Sequence, residues 1–315
     1  MRRLVLAILV LLAVVAGYLA VAGWMLARGA SALLEVGTIS AMIAPGTPET
    51  DPFVLGFRGD PAAALGLGFE TVTVDTPLGP SPAWLVPGPR ADLAAIYVHG
   101  VAGAREDGYR HLSVLQEAGL PVLLISYRND PAAPATSDGR YGMGTTEWPD
   151  LEAAVAQMVA RGHDRLLLVG ESMGGAIVGQ FLRRSALARH VAALALDSPA
   201  LDFGAVLAHL AAQRGLPAPE AVGQAALAIL SARGPHDLRD TDVLPTVAAH
   251  SGPLFLAHGA GDEIVPVSIS ARLLARRSMP THHLRTAAGH LQSWHADPDA
   301  YRAAFGGFVA TLAPR

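Results

Sequence analysis

The chain has 315 residues, of which 51% are hydrophobic, and a formal net charge of −4 from 23 Lys and Arg against 27 Asp and Glu. This length suits one large domain or two small ones with a sizeable core. The lack of a basic excess argues against a nucleic-acid-binding surface. The chain contains no cysteine, which excludes disulfides, thiolate metal sites and a cysteine nucleophile.

The first segment of the chain is apolar and uncharged from Leu4 to Ala27. A helix of this length would span roughly 36 Å, which exceeds the hydrocarbon core of about 30 Å. Arg2 and Arg3 precede it, and the positive-inside rule keeps that end in the cytoplasm. The sequence therefore predicts a single-pass anchor over residues 1–28, outside the globular fold, with the rest of the chain extracytoplasmic.

The same segment has an alternative interpretation as a cleaved signal peptide, which would give a secreted protein. Ala20–Ala22 forms an A-x-A cleavage site. The apolar run continues past this site to Leu26, however, which is long for a signal peptide. We favour the anchor for that reason.

A stalk and a hairpin follow the apolar segment. Residues 29–69 hold several prolines and glycines, which predicts a stalk or linker, with a short helix near Pro61–Leu65. Beyond it, Glu70–Asp75 is a β-branched run, and Pro82–Val86 is a second run after a turn rich in Pro and Gly. These two runs predict a β-hairpin.

Strands and helices alternate through the rest of the chain, where we predict a domain over residues 70–315. The predicted strands are Ala94–Val98, Pro121–Tyr127, Arg165–Val169, Val191–Leu196, Leu254–Ala257 and His283–Thr286. The predicted helices are Tyr109–Ala118, Asp150–Arg161 with Asp150 as N-cap, Met173–Arg184, Val267–Arg277 and Pro298–Leu312. This alternation predicts an α/β fold with a mostly parallel sheet flanked by helices.

One stretch interrupts the alternation. Residues 203–250 contain only helix-like and loop-like sequence, which is too long for a simple crossover. We predict an insert of about two helices that caps a binding site. Its richness in Ala, Val and Leu favours an apolar binding site of modest size.

The segment LLLVGESMGGA, from Leu166 to Ala176, places Ser172 between glycines where a strand passes into a helix. A serine nucleophile needs its hydroxyl clear of the sheet, and a sharp strand-to-helix turn provides that. The turn is crowded, so Gly170 and Gly174 are needed where any side chain would meet the neighbouring strand or helix. The alternatives are an N-capping serine in a glycine-rich turn and, less well supported because no Lys follows the glycines, a phosphate loop.

In this motif context the acid follows the serine along the chain, and the histidine comes last. Asp262 lies in HGAGDEIVP after a later strand, and His290 lies in AAGH after the last strand. Residues at successive strand ends meet at the carboxyl edge of a parallel sheet. We therefore predict His290 as the base and Asp262 as the acid that orients it, with Asp197 and Asp202 as rival acids.

An oxyanion hole requires two backbone donors. One is predicted to be the N–H of Met173, directly after the nucleophile, and the other the N–H of Val101 in the loop HGVAGAR. His99 is expected to pack beneath that loop. No pair of histidines has the helical spacing of a zinc site, so we predict no metal and no cofactor.

Four segments, YVHGVAG, GESMGGA, HGAGDEIVP and AAGH, resemble the α/β-hydrolase superfamily near its bacterial esterase and serine-peptidase branches. Asp60–Pro87 and Arg140–Val155 are also similar to segments of that branch, so the resemblance covers about residues 60–312. It implies the α/β-hydrolase fold with Ser172, Asp262 and His290 as triad and Val101 and Met173 as oxyanion donors. The oxyanion loop lacks the HGGG form of many lipases, which argues against a lipase.

These observations together predict a membrane-anchored serine hydrolase that cleaves a small carboxylic ester through an acyl-enzyme on Ser172. A peptidase or amidase, or an acyltransferase, would use the same triad. A non-catalytic scaffold on the same fold is the alternative of a different class. The oligomeric state stays open.

Overall fold

The computed structural model of the protein describes residues 1–43 and 49–312, with side chains for all of these except 41–43. Residues 44–48 of the predicted stalk and 313–315 of the predicted hydrolase domain therefore lie outside the described residues.

Eight strands form one sheet. They are β1 (Glu70–Thr76), β2 (Gly79–Val86), β3 (Ala94–Val98), β4 (Val122–Ile125), β5 (Leu166–Glu171), β6 (Val191–Asp197), β7 (Leu254–Gly259) and β8 (Thr281–Thr286). Their order in the sheet is β1-β2-β4-β3-β5-β6-β7-β8. The hairpin of β1 and β2 is antiparallel, β2 pairs antiparallel with β4, and every later pairing is parallel. The predicted hairpin and the mostly parallel sheet are confirmed.

Helices account for most of the remaining described chain. They are α1 (Arg2–Leu33), α2 (Thr38–Ile43), α3 (Pro61–Leu65), α4 (Tyr109–Glu117), α5 (Trp148–Ala160), α6 (Met173–Arg184), α7 (Phe203–Gln213), α8 (Pro219–Arg233), α9 (Leu244–Ala249), α10 (Ser268–Arg276), α11 (Ser293–Ala296) and α12 (Pro298–Ala310). The bounds of six helices lie within two residues of the predicted ones, namely α3, α4, α5, α6, α10 and α12.

The predicted N-cap of α5 is wrong. The helix begins at Trp148 with Glu147 as its N-cap residue, and Asp150 lies in the first turn. The carboxylate of Asp150 accepts hydrogen bonds from Arg128 at 2.8 and 2.7 Å. The side chain of Asp150, which the sequence pattern predicted to cap the helix, therefore binds Arg128, a residue distant in the chain.

The core lies on both faces of the sheet, because side chains alternate along each buried strand. In β3, Ile96 and Val98 belong to a layer with residues of α5 and α6. Ala95 and Tyr97 belong to the opposite layer with residues of α4 and α12. All five residues of β3 are buried, as expected for a parallel sheet covered on both faces.

Helix α1 is long and apolar enough to cross a membrane, with a mean hydropathy of 3.0 in its most apolar window. Residues 1–17 are exposed on every side. Farther along, α1 packs against α8, and Ala22, Leu26 and Ala30 join the core. The expectation that this segment lies outside the globular fold is therefore wrong for its second half, which continues helically to Leu33.

The insert over residues 203–250 contains α7, α8 and α9. Helix α8 packs against both α7 and α1. Gly223 permits the close approach of α7, because a Cβ there would lie 2.6 Å from the backbone nitrogen of Ala208. The insert is thus fixed to α1 on one side and to its own first helix on the other.

The contact between α1 and α8 depends on Gly23, where a Cβ would lie 2.7 Å from the Cβ of Ala225. We expect Gly23→Val to lower the melting temperature of the full chain in detergent by about 3–8 °C, because overpacking costs about 1–3 kcal/mol. Gly29→Val is the matched control, since a Cβ at Gly29 meets nothing within 4 Å. Equal melting temperatures for the two variants would contradict the packing role.

Candidate active site

Ser172 occupies a sharp turn between β5 and α6. Its backbone has φ +50° and ψ −116°, a conformation that is costly for a residue other than glycine and that surrounding structure must hold in place. The side chain makes no capping hydrogen bond to α6 and is 5% exposed. The interpretation of Ser172 as an N-capping serine is therefore not supported.

The two glycines of the motif have the steric role predicted for them. A Cβ on Gly174 would lie 2.2 Å from the carbonyl oxygen of Val98 in β3. A Cβ on Gly170 would lie 3.0 Å from backbone atoms of Gly174 itself. Only glycines allow α6 to begin this close to the sheet, and this closeness sets the sharpness of the turn.

The structure brings Ser172, Asp262 and His290 together. Nε2 of His290 lies 3.0 Å from Oγ of Ser172, and Nδ1 lies 2.7 Å from Oδ2 of Asp262. The residues come from the turn after β5, the loop after β7 and the loop after β8, which all open at the carboxyl edge of the sheet. The imidazole can therefore accept the serine proton on one nitrogen while the carboxylate holds the other.

Asp262 is held by four donors. Its Oδ1 accepts the backbone N–H groups of Ile264 and Val265 at 2.9 and 2.8 Å, and its Oδ2 bonds to His290 and, at 3.2 Å, to Nε2 of His258. Burial raises the pKa of Asp262. The hydrogen bonds from His258, His290 and the backbone of Val265, together with the electrostatic effect of His290, hold the pKa below its ordinary value. The acid is thus ionised and fixed in orientation.

The rival acids have other partners. Asp202 caps α7 by accepting the N–H of Ala205 at 3.0 Å, and it pairs with Arg272 at 2.8 Å. Asp197 accepts the hydroxyl of Tyr301 at 2.9 Å. Neither carboxylate bonds to His290 among the described contacts, so the geometry favours Asp262.

The loop after β3 passes directly over Ser172. A Cβ on Gly100 would lie 3.1 Å from the Cβ of Ser172, which places Val101 at the next position of this loop. Met173 is the first residue of α6, where an N–H has no partner within the helix. Beneath the loop, His99 is buried against Tyr127 and bonds to Asp130 at 2.7 Å, as the sequence predicted.

A buried polar cluster lies behind Ser172. Potential ligand atoms of His111, Glu171 and Asp197 lie within 4.8 Å of one another, an arrangement of a kind that can hold a metal ion. Here the guanidinium of Arg110 bonds to Glu171 and supplies the positive charge. Burial nevertheless raises the pKa of Glu171 to about 7.

Sequence reasoning missed Arg110 as a partner of Glu171. The two residues are 61 positions apart, and nothing in the local pattern around Arg110 marks it for burial. His258 was also missed as a partner of Asp262, although it lies four residues before it in the quoted loop.

A cavity of about 540 Å³ lies between α1 and α8, with Trp24, Arg28, Tyr141 and Arg233 among its lining residues. None of Ser172, Asp262 and His290 lines it. This cavity is therefore separate from the site formed by these three residues.

No model of a known protein family matches the chain, and no curated protein matches it. Several solved structures match the chain. An esterase of Pyrococcus furiosus is 19% identical with a TM-score of 0.63, over 84% of this chain and 99% of that one. An α/β serine hydrolase without lid from Xanthomonas campestris is 19% identical with a TM-score of 0.53, over 78% and 96%. An esterase of a Rhodococcus species is 17% identical with a TM-score of 0.54, over 77% and 99%. The chain has the α/β-hydrolase fold.

The contacts of the two acids lead to a paired test. Asp262→Asn should lower the kcat of ester hydrolysis by about 10⁴-fold, because an amide at this position favours the wrong histidine tautomer. Asp202→Asn should change kcat little, since asparagine caps a helix as well as aspartate does. Steady-state kinetics of both folded variants makes the comparison, and a larger loss for Asp202→Asn would refute the assignment.

Proposed function

We propose that the protein is a membrane-anchored serine hydrolase that cleaves carboxylic esters. The observation that carries this proposal is the single imidazole of His290, which bridges Oγ of Ser172 at 3.0 Å and Oδ2 of Asp262 at 2.7 Å. A non-catalytic scaffold does not require a serine in a strained conformation. Nor does it require the serine hydroxyl to face His290 while Asp262 holds the other nitrogen of the imidazole. The non-catalytic alternative is disfavoured for this reason.

In the proposed mechanism, Oγ of Ser172 attacks the ester carbonyl carbon while Nε2 of His290 takes the hydroxyl proton. The negative oxygen of the tetrahedral intermediate is stabilised by the N–H groups of Val101 and Met173. His290 then protonates the departing alcohol, which leaves an acyl-enzyme. Water, deprotonated by His290, attacks the acyl carbon, and collapse releases the carboxylic acid and restores the serine.

An ester is preferred over an amide because two of the structural neighbours are described as esterases. A peptidase or amidase on the same triad is the second candidate. An acyltransferase would differ only in admitting an alcohol or amine in place of water. The oxyanion loop, HGVAGAR, again argues against a lipase of the HGGG kind.

The anchor is proposed to be retained, with the catalytic domain outside the cytoplasmic membrane. Residues on both sides of the A-x-A site contact the insert: the hydroxyl of Tyr18 donates to the carbonyl of Pro217 at 2.8 Å, and Gly23 lies against Ala225. Cleavage after Ala22 would discard part of this interface. The arginines at positions 2 and 3 support a cytoplasmic N-terminus.

Labelling by a fluorophosphonate tests the nucleophile, because only an activated serine reacts quickly with it. Wild type should be labelled at Ser172 and should hydrolyse p-nitrophenyl esters of short and medium acyl length. Ser172→Ala should abolish both while leaving the fold intact, and His290→Ala should do the same because the hydroxyl loses its base. A wild-type chain that takes no label, beside a known serine hydrolase that does, would refute the proposal.

Reporter fusions test the topology. A reporter fused after residue 60 should be active only if it is one that functions outside the cytoplasm. The N-terminus of the mature protein should be found at the start of the chain. A cytoplasmic signal would overturn the orientation, and a mature protein that begins at Gly23 would replace the anchor with a cleaved signal peptide.

A further inference from the structure

Beneath the active site, one charged side chain touches two separate parts of the machinery. Arg110 of α4 is 1% exposed and is the largest of the fully buried side chains among the described residues. Its Nη2 donates to Oε1 of Glu171, and its Nη1 donates to the carbonyl oxygen of Leu291 at 3.1 Å. Glu171 directly precedes Ser172, and Leu291 directly follows His290.

We propose that Arg110 is a positioning residue, whose guanidinium joins the nucleophile turn to the histidine loop and so fixes the separation of Ser172 and His290. This inference rests on the proposed hydrolase function. It concerns alignment alone, because Arg110 reaches no atom of the triad and would touch no substrate.

On the serine side, Arg110 acts through the carboxylate of Glu171. The other oxygen of that carboxylate accepts the hydroxyl of Tyr97 at 2.7 Å, so Glu171 is held from two directions. The next residue, Ser172, has its strained φ of +50°, and its N–H donates to the carbonyl of Asp197 at 3.0 Å. A strained residue keeps its conformation only when its neighbours fix it.

On the histidine side, Leu291 is itself strained, with φ +55°. Its carbonyl accepts from Arg110, and its N–H donates to Oγ of Ser198 at 3.3 Å. Ser198 in turn donates to Oδ1 of Asp197 at 3.2 Å. Both polar groups of the residue after His290 are therefore bound to the buried cluster.

The shape of the guanidinium makes the link possible. Arginine presents several N–H donors in a rigid planar fork, whereas lysine has one compact ammonium group. Two of the guanidinium nitrogens serve two acceptors in different loops. A lysine at position 110 could neutralise Glu171, but it would not hold Leu291 in the same fixed geometry.

Removing the guanidinium does not have to leave the carboxylate of Glu171 charged and unpaired in the interior. Burial raises the pKa of Glu171 to about 7 even with Arg110 beside it, and burial also raises the pKa of Asp197. Without Arg110, Glu171 would bind a proton and stay neutral. Variants at position 110 are therefore expected to fold with reduced stability.

The test compares Arg110 with Arg128, which forms the other buried arginine pair described above. Arg128 is 8% exposed and binds Asp150 with two nitrogens, but it touches neither loop of the triad. Arg110→Lys and Arg128→Lys are prepared as full chains in detergent. Melting temperature, kcat and KM for a p-nitrophenyl ester, and the rate of fluorophosphonate labelling are measured for each.

Arg110→Lys should lower both kcat and the labelling rate by on the order of 10²-fold, the scale of loss for a misplaced catalytic group. KM should stay within about twofold, because no substrate contact changes. Arg128→Lys should lose stability while keeping its kcat. Ser198→Ala leaves the pair of Arg110 and Glu171 intact but removes the hydroxyl that binds both the N–H of Leu291 and Oδ1 of Asp197. It should therefore lower kcat in the same direction by less.

Should Arg110→Lys fail to fold, Ser198→Ala alone decides the matter through its kcat. The proposal is overturned if kcat in the folded Arg110 variant, or in Ser198→Ala where that variant does not fold, stays within twofold of wild type. It is also overturned if Arg128→Lys loses kcat equally, since the loss would then follow stability. If the wild type takes no label, the proposed hydrolase function itself is refuted. That outcome is distinguishable from failure of the Arg110 proposal, because it is seen in the wild type without any variant.

Discussion

The close approach of α6 to the sheet is the constraint on which the rest of the site depends. At Gly174 the helix backbone lies so near β3 that a Cβ would overlap the carbonyl of Val98. This proximity forces the chain to turn sharply at Ser172 and leaves the serine in a costly conformation. The hydroxyl therefore stands clear of the sheet and makes no capping hydrogen bond to the backbone of α6. A serine nucleophile needs a hydroxyl in such a position.

The strain at this turn has to be balanced by bonds elsewhere, and the structure places them below the serine. Arg110, Glu171 and Asp197 form a fully buried set of ionisable groups with tyrosine hydroxyls around them. A buried ion pair contributes little net stability, because desolvation of both charges opposes their attraction. The pair instead fixes positions, since Arg110 connects the turn that contains Ser172 to the loop that contains His290.

A second set of contacts joins helix α1 to the domain. The first half of α1 is exposed and apolar, while small residues on its second half allow α8 to pack closely. The insert that carries α8 begins directly after β6, next to the triad. Helix α1 is apolar enough to cross a membrane, and its second half also packs into the core of the α/β-hydrolase fold.

The sequence by itself determined the features that are written in local patterns. Alternating strands and helices predicted the parallel sheet, the G-x-S-x-G turn marked Ser172, and chain order selected Asp262 and His290 for positions at neighbouring strand ends. These features depend on residue periodicity, on glycines at fixed offsets and on the rule that parallel strand ends share an edge.

Only the tertiary structure decided which distant side chains meet. Asp150 was expected at a helix end and instead binds Arg128, and the burial of Arg110 against Glu171 and Leu291 left no sign in the sequence. The second half of α1 packs into the core because Gly23 lets the helix lie close to Ala225 of α8. Such pairings depend on how whole elements pack, and packing brings together residues whose separation along the chain carries no periodic signal.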